Sequence, residues 1–322
     1  MNIIETHALS RVYGKRRAVD SLDMCVAAGE IYGFVGKNGA GKSTAMKMLA
    51  GLVNPSSGEI ELFGASLRSR RARQGFSRIG ALIEDPGVLP TFSALENLMC
   101  KALALGVVRP NAHCRELLEL VGLADTGSLR VKKFSLGMKQ RLGLALALVG
   151  GPDLLLLDEP FNGLDPESTR AMRGALVRLN RERGVTMVIS SHVLDQLDRM
   201  ATSFGVIRSG RMVRELSMDD LHRECGNSIR IRTNDPARTL AILEEALPGT
   251  ALRAEPDGSI LASAAVRHAA TSFGGAAVAP MAPSAEDVAR ALSEHGLLIL
   301  ELSHVERDIE EYFVELMGGA DA

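Results

Sequence analysis

At 322 residues the chain is long enough for one large α/β domain and a smaller second one. Its formal net charge is −2, with lysine and arginine scattered throughout, which argues against an electrostatic grip on bulk nucleic acid. Cys25, Cys100, Cys114 and Cys225 show no C-x-x-C spacing and no evident pairing, so reduced cytosolic thiols fit them best.

No stretch reads as a membrane span. The most apolar region, Leu142 to Leu157, is interrupted by Gly143, Gly150, Gly151, Pro152 and Asp153 and falls short of the roughly 20 residues a span needs. Glu5 and His7 interrupt any secretory signal at the N-terminus.

Along the chain, Glu30 to Val35 reads as a short buried strand entering Gly36-Lys37-Asn38-Gly39-Ala40-Gly41-Lys42-Ser43-Thr44. That stretch fits the phosphate-loop pattern G-x-x-x-x-G-K-[ST]. Its glycines let the backbone turn several N–H groups inward at a triphosphate, where a Cβ would crowd the phosphates or resist the dihedrals. Lys42 supplies a point charge for the β- and γ-phosphates, and Ser43 a hydroxyl for Mg²⁺. A helix from Ser43 to Leu49 follows, its N-terminus favouring anions. The chain is therefore expected to bind a nucleoside triphosphate.

A turn over Asn54–Gly58 precedes a strand over Glu59–Phe63, and Arg68, Arg70, Arg71 and Arg73 read as a solvated helix face, a lipid-headgroup or partner contact being the alternative. Residues 87–140 or so are helix-rich, with apolar positions at three-to-four spacing around Ala94 and Cys114. Phe134 to Leu142 opens a further helix with Ser135 as its N-cap, a second candidate anion site. Two phosphate sites on one chain make sense if they meet across two copies.

Asp153 to Pro160 is an apolar run ending in two carboxylates, the pattern of a central strand buried on both faces. Asp158 at its tip can hold the ion that Ser43 touches, while Glu159 can polarise an attacking water. A helix near 167–182, a strand at 185–190 and Val206–Gly210 complete this part, and His192 stands where ligands bind in an open α/β sheet.

After about residue 216 alanine rises and the character changes. Ile229–Thr233 alternates like a half-buried strand, Asp235-Pro236 starts a helix through Leu247, another helix follows Ser284, and Leu297–Glu301 is a strand. Ser303-x-x-Glu306 reads as a capping box before a last helix carrying Val305, Ile309, Phe313 and Leu316 on one face, and 271–283 as loop. These pairs suggest a small α+β domain, ferredoxin-like being one arrangement that fits, with a dimerisation or regulatory role rather than a second active site.

Taken in order, the segments over residues 1–215 resemble the ATP-binding subunit of ABC transporters. In that family's terms, 36–44 resembles Walker A, 154–159 Walker B, Phe134–Met138 the signature loop, Asn162-Gly163-Leu164-Asp165 the D-loop and His192 the switch histidine. Tyr13 matches the aromatic that stacks on adenine. The resemblance implies a P-loop NTPase core of α/β type with a helical subdomain at about 87–140, and an accessory domain over 216–322.

Two positions depart from the family pattern. Phe-Ser-Leu-Gly-Met at 134–138 stands for the usual Leu-Ser-Gly-Gly-Gln, keeping Ser135 and Gly137. Glu84 stands where the Q-loop usually has glutamine, and as a carboxylate it can reach Mg²⁺ or water. Both departures, and the tail from Asp308, resemble the ATPases of bacitracin- and lantibiotic-type export or self-protection systems.

The resemblance implies ATP and Mg²⁺ as ligands and hydrolysis in a head-to-tail homodimer or heterodimer. Lys42, Ser43 and Asp158 would act on one subunit and Ser135 and Gly137 on the other, with Glu159, His192 and Glu84 completing the site. It also implies a separate integral-membrane permease and a place on the cytoplasmic face of the membrane. A soluble cassette ATPase acting on ribosomes or nucleic acid, usually with two cassettes or a long coiled-coil insertion, is the rival. A nucleotide-sensing module is another, though it has no need of Glu159 and His192.

Overall fold

The computed structural model describes residues 1–67, 75–225, 228–264, 284–305 and 309–318. The arginine cluster at 68–73, the stretch 271–283 and Glu306 lie outside the described residues. The chain divides into two units, Met1–Glu215 and Leu216–Ala322.

The first unit is built on two sheets. Strands β1 (Asn2–Tyr13) and β2 (Arg16–Ala27) form an antiparallel ribbon, extended by β4 (Ser57–Leu62) and β5 (Ala65–Ser66) in the order β2-β1-β4-β5. The second sheet is β10-β9-β3-β8-β7-β6, comprising β3 (Ile31–Val35), β6 (Ile79–Leu82), β7 (Leu154–Asp158), β8 (Thr186–Ser191), β9 (Ser203–Arg208) and β10 (Arg211–Ser217). Its central strands β3, β8 and β7 run parallel, and every residue in all three is buried. That is why they read as unbroken apolar runs rather than alternating ones.

Helix α1 (Lys42–Leu49) follows β3 and lays Ala45, Met46, Met48 and Leu49 into a core shared with Leu154, Leu156 and Val188. Between β6 and β7 the chain leaves the sheet for α2 (Ala94–Ala104), α3 (Pro110–Leu120) and α4 (Leu136–Leu148). Ser93 opens α2 with a complete capping box, accepting from Glu96 N while the Glu96 carboxylate accepts from Ser93 N. Lys101 Nζ donates to Leu146 O at 2.8 Å, joining α2 to α4. Helix α5 (Pro166–Arg183) connects β7 to β8.

The second unit runs α6 (Met218–Cys225), β11 (Ser228–Thr233), α7 (Pro236–Ala246), β12 (Thr250–Ala254), β13 (Ile260–Ala264), α8 (Ala285–Glu294), β14 (Ile299–Val305) and α9 (Ile309–Leu316). Its antiparallel sheet has the order β12-β13-β11-β14. A βαββαβ path with that order is the ferredoxin-like arrangement. Ile229, Ile231, Ile260 and Ala262 face Leu243 of α7 and Val288 and Leu292 of α8 in one core.

The C-terminal segment departs from its reading as a capping box. Ser303 and Val305 lie in β14, paired with Arg230 and Ser228 of β11. Long-range pairing to a central strand outweighs a local capping signal at Ser303. The hairpin β12–β13 is absent from the sequence reading because Thr250–Ala254 and Ile260–Ala264 are short and alanine-rich.

Candidate functional site

The parallel order β3-β8-β7 brings the carboxyl ends of three strands side by side, with Val35 opposite Ser191 and Asp158 opposite Ser190. The phosphate loop, the carboxylate pair and His192 therefore meet at one sheet edge, where open α/β sheets bind ligands. A cavity of about 430 Å³ opens there, lined by Tyr13, Arg16, Ala18, Asn38, Gly39, Gly41, Lys42, Ser43, Thr44 and Glu159.

Each loop glycine answers a local demand. Gly39 has φ +81° and Gly41 φ +112°, conformations that L side chains resist, and Gly41 hands the chain directly into α1. Gly36 serves a different end: a Cβ there would lie 2.5 Å from Ile207 O on the neighbouring strand. The sheet, not the phosphate, requires a glycine at that position.

Lys42 is buried, its Nζ donating to Gly36 O at 2.6 Å and standing 3.5 Å from Glu159 Oε1. Asp158 is equally buried and accepts from Ser190 Oγ at 2.5 Å. The same Ser190 Oγ accepts from Glu159 N at 3.0 Å. Glu159 has φ +48°, a left-handed turn that swings its carboxylate away from that of Asp158. His192 Nδ1 lies 2.9 Å from Glu159 Oε2, while Glu159 Oε1 is buried without a hydrogen bond.

This arrangement suits a triphosphate and Mg²⁺. Backbone N–H groups at the α1 N-terminus, Lys42 and Arg16 furnish positive potential for phosphate oxygens. Ser43 and Asp158 are the hydroxyl and the carboxylate that would hold the ion, phosphates and water supplying its other ligands. Among the described residues no cluster of three or more His, Cys, Asp or Glu could hold a metal unaided. Glu159 Oε1, ion-paired with Lys42 but without a hydrogen bond, keeps acceptor capacity that a water could use.

At the far end of the cavity Tyr13 is 44% exposed, leaving a ring face for a base. Arg11 covers that ring with its Cζ 4.5 Å from the centroid and donates to Asn54 O at 2.8 Å. The sequence reading named Tyr13 but neither Arg11 nor Arg16, whose relevance comes from the β1–β2 hairpin folding back over the loop.

Other expected residues stand apart. Ser135 caps α4 by accepting from Met138 N at 3.2 Å, and neither it nor Gly137 lines the cavity. Asp165 caps α5, accepting from Ser168 N and Ser168 Oγ, both at 2.8 Å. The Ser168 N–H holds its carboxyl below the ordinary 3.8. Glu84, at φ +60°, is bound to Lys47 Nζ of α1 at 2.5 Å and does not line the cavity. Among the described residues no helix is long and apolar enough to cross a membrane.

Comparison with known proteins identifies the family. A family model described as ABC transporter matches residues 19–162. The bacitracin transport ATP-binding protein BcrA of Bacillus licheniformis is 36% identical over 317 residues, 98% of each chain. The lantibiotic transport ATP-binding protein SrtF of Streptococcus pyogenes is 39% identical over 217 residues, 67% of this chain and 92% of that one. A solved structure of the ATP-binding subunit of an ABC transporter superposes with a TM-score of 0.62 at 29% identity, covering 70% of this chain and 93% of the other.

Proposed function

This chain belongs to the ABC transporter family as an ATP-binding subunit and ATPase, and we propose that it works as a head-to-tail dimer driving a separate membrane permease. The observation that supports the dimer is an incomplete site. One chain supplies the loop, the carboxylates and His192, whereas Ser135 and Gly137, a capped helix start suited to a γ-phosphate, lie outside the cavity. A second copy in opposite orientation would bring them to it.

In the closed pair Lys42 and Arg16 neutralise phosphate charge, and Ser43 and Asp158 would hold Mg²⁺, which when bound would neutralise charge developing on the phosphate oxygens. Glu159 orients the attacking water, with His192 fixing its carboxylate. Exclusion of water strengthens each of these contacts. Asp165 and Glu84 are assigned to the closed state: Asp165 would face the partner from the start of α5, and Glu84, now paired with Lys47, is a carboxylate that could help hold the ion or its water.

The cargo we assign is a peptide antibiotic of bacitracin or lantibiotic type, exported for secretion or self-protection, by likeness to BcrA along the whole chain. The site of action is the cytoplasmic face of the membrane. The C-terminal unit is a dimerisation or regulatory module, and β14, an edge strand among the described residues, is placed where strand addition could occur. Affinity capture of the tagged chain from detergent-solubilised membranes of its host, with mass spectrometry, tests the assignment. A stoichiometric polytopic partner is expected, together with peptide-antibiotic sensitivity when the gene is deleted. Recovery with ribosomes or nucleic acid alone would move the chain to the soluble class.

A further inference from the structure

The signature helix and the D-loop of one chain interlock through two leucine–glycine pairs. A Cβ placed on Gly163 would lie 2.4 Å from Leu136 Cδ2 and 3.2 Å from its Cγ, so any side chain at 163 would displace Leu136 from its present position. Reciprocally, a Cβ on Gly137 would lie 3.0 Å from Leu164 Cδ2. Leu136-Gly137 opens α4 and Gly163-Leu164 lies in the turn before α5, each leucine resting where the other segment has no side chain.

A third contact lies one turn along α4. Gln140 is buried, with its Nε2 3.5 Å from Glu159 O. The turn itself is short: Asn162 N donates to Glu159 O at 3.1 Å and Leu164 N to Phe161 O at 3.2 Å, so Gly163 is four residues from the carboxylate that faces the cavity. Leu136 is 60% exposed, so its place is not explained by core burial.

We propose that Leu136 is a positioning residue, seating the D-loop against the signature helix so that engagement of the signature by a partner also sets the placement of Glu159 in the same chain. The proposal rests on the head-to-tail dimer reading. It gives the leucine at this signature position a task that a glycine could not perform, since a glycine has nothing to lay across residue 163.

The test is a double-mutant cycle on the full chain with Leu136→Ala, Gly163→Ala and the pair, reading kcat, KM for ATP and affinity for a fluorescent ATP analogue. Leu136→Ala is expected to lower kcat about fivefold with analogue affinity within about twofold, and Gly163→Ala to lower it about tenfold. The pair is expected to be no slower than Gly163→Ala alone, because losing Leu136 frees the space the new methyl needs. The strain of alanine at φ +74° is present in both Gly163 variants and cancels in the cycle. Leu136→Met, of similar volume, is expected to retain most of the activity.

Effects that multiply independently, or an unchanged kcat in Leu136→Ala, would overturn the inference. The same substitutions in a Glu159→Gln background, sized with ATP, separate the two ideas. A Glu159→Gln protein that stays monomeric with ATP defeats the dimer reading and this inference with it. One that dimerises while the cycle shows no coupling defeats the inference alone.

Discussion

Ser190 ties together the two carboxylates to which the proposed mechanism gives the ion and the water, donating to Asp158 and accepting from the Glu159 backbone. Ser190→Ala leaves a buried acceptor on Asp158 unsatisfied, at a cost of about 1–3 kcal/mol in stability. It is expected to lower kcat by roughly tenfold while ATP still binds, measured by urea unfolding and steady-state hydrolysis. Tyr13→Ala addresses the other end of the cavity: base stacking worth about 1–3 kcal/mol predicts a KM for ATP raised on the order of tenfold at nearly constant kcat. That Tyr13, Lys42, Ser43, Asp158, Glu159 and His192 would be gathered at one place was legible because their types and order are tied to one chemistry. Ser190, Arg11 and Arg16 were not, since a serine inside an apolar strand and arginines on a hairpin acquire a role only through neighbours distant in sequence.

Element by element, two helix caps were legible, while those at Ser93 and Asp165 went unread. Ser135 and Asp235, both read as N-caps, each accept from the N–H three residues on, as local chemistry demands. The Ser303 cap failed because strand pairing, which no local signal reports, claimed the residue. Asp165 permits a test of one cap by pH. Its folded carboxyl titrates below 3.8, so the folded state prefers the charged form, and its contribution is full above 3.8 and lost as pH falls through the folded value. Asp165→Ala should therefore lower the melting temperature at pH 7, with the gap from wild type closing in acid below about 3.8. A gap independent of pH would refute the cap's ionic character. Asp165→Asn should keep the cap, since asparagine accepts the same bond, and any loss of turnover it shows then reports on the partner rather than on α5.

At the scale of the whole molecule, the parallel strand order accounts for why motifs spread from Gly36 to His192 make one site. The motif order announced that site; the four-stranded sheet of the second unit needed the hairpin β12–β13, which the sequence reading passed over. The central claim is that one chain carries only half of a hydrolytic site. Its most direct test is the mass in solution of the purified Glu159→Gln protein, with and without ATP and Mg²⁺, by light scattering on size exclusion. The expected result is a shift of the Glu159→Gln protein to twice its nucleotide-free mass on adding ATP, reversed by Ser135→Arg, with wild type returning to its starting mass as it hydrolyses. A wild-type protein that turns over ATP as a monomer, at a rate independent of its own concentration and unaffected by Ser135→Arg, would contradict the account.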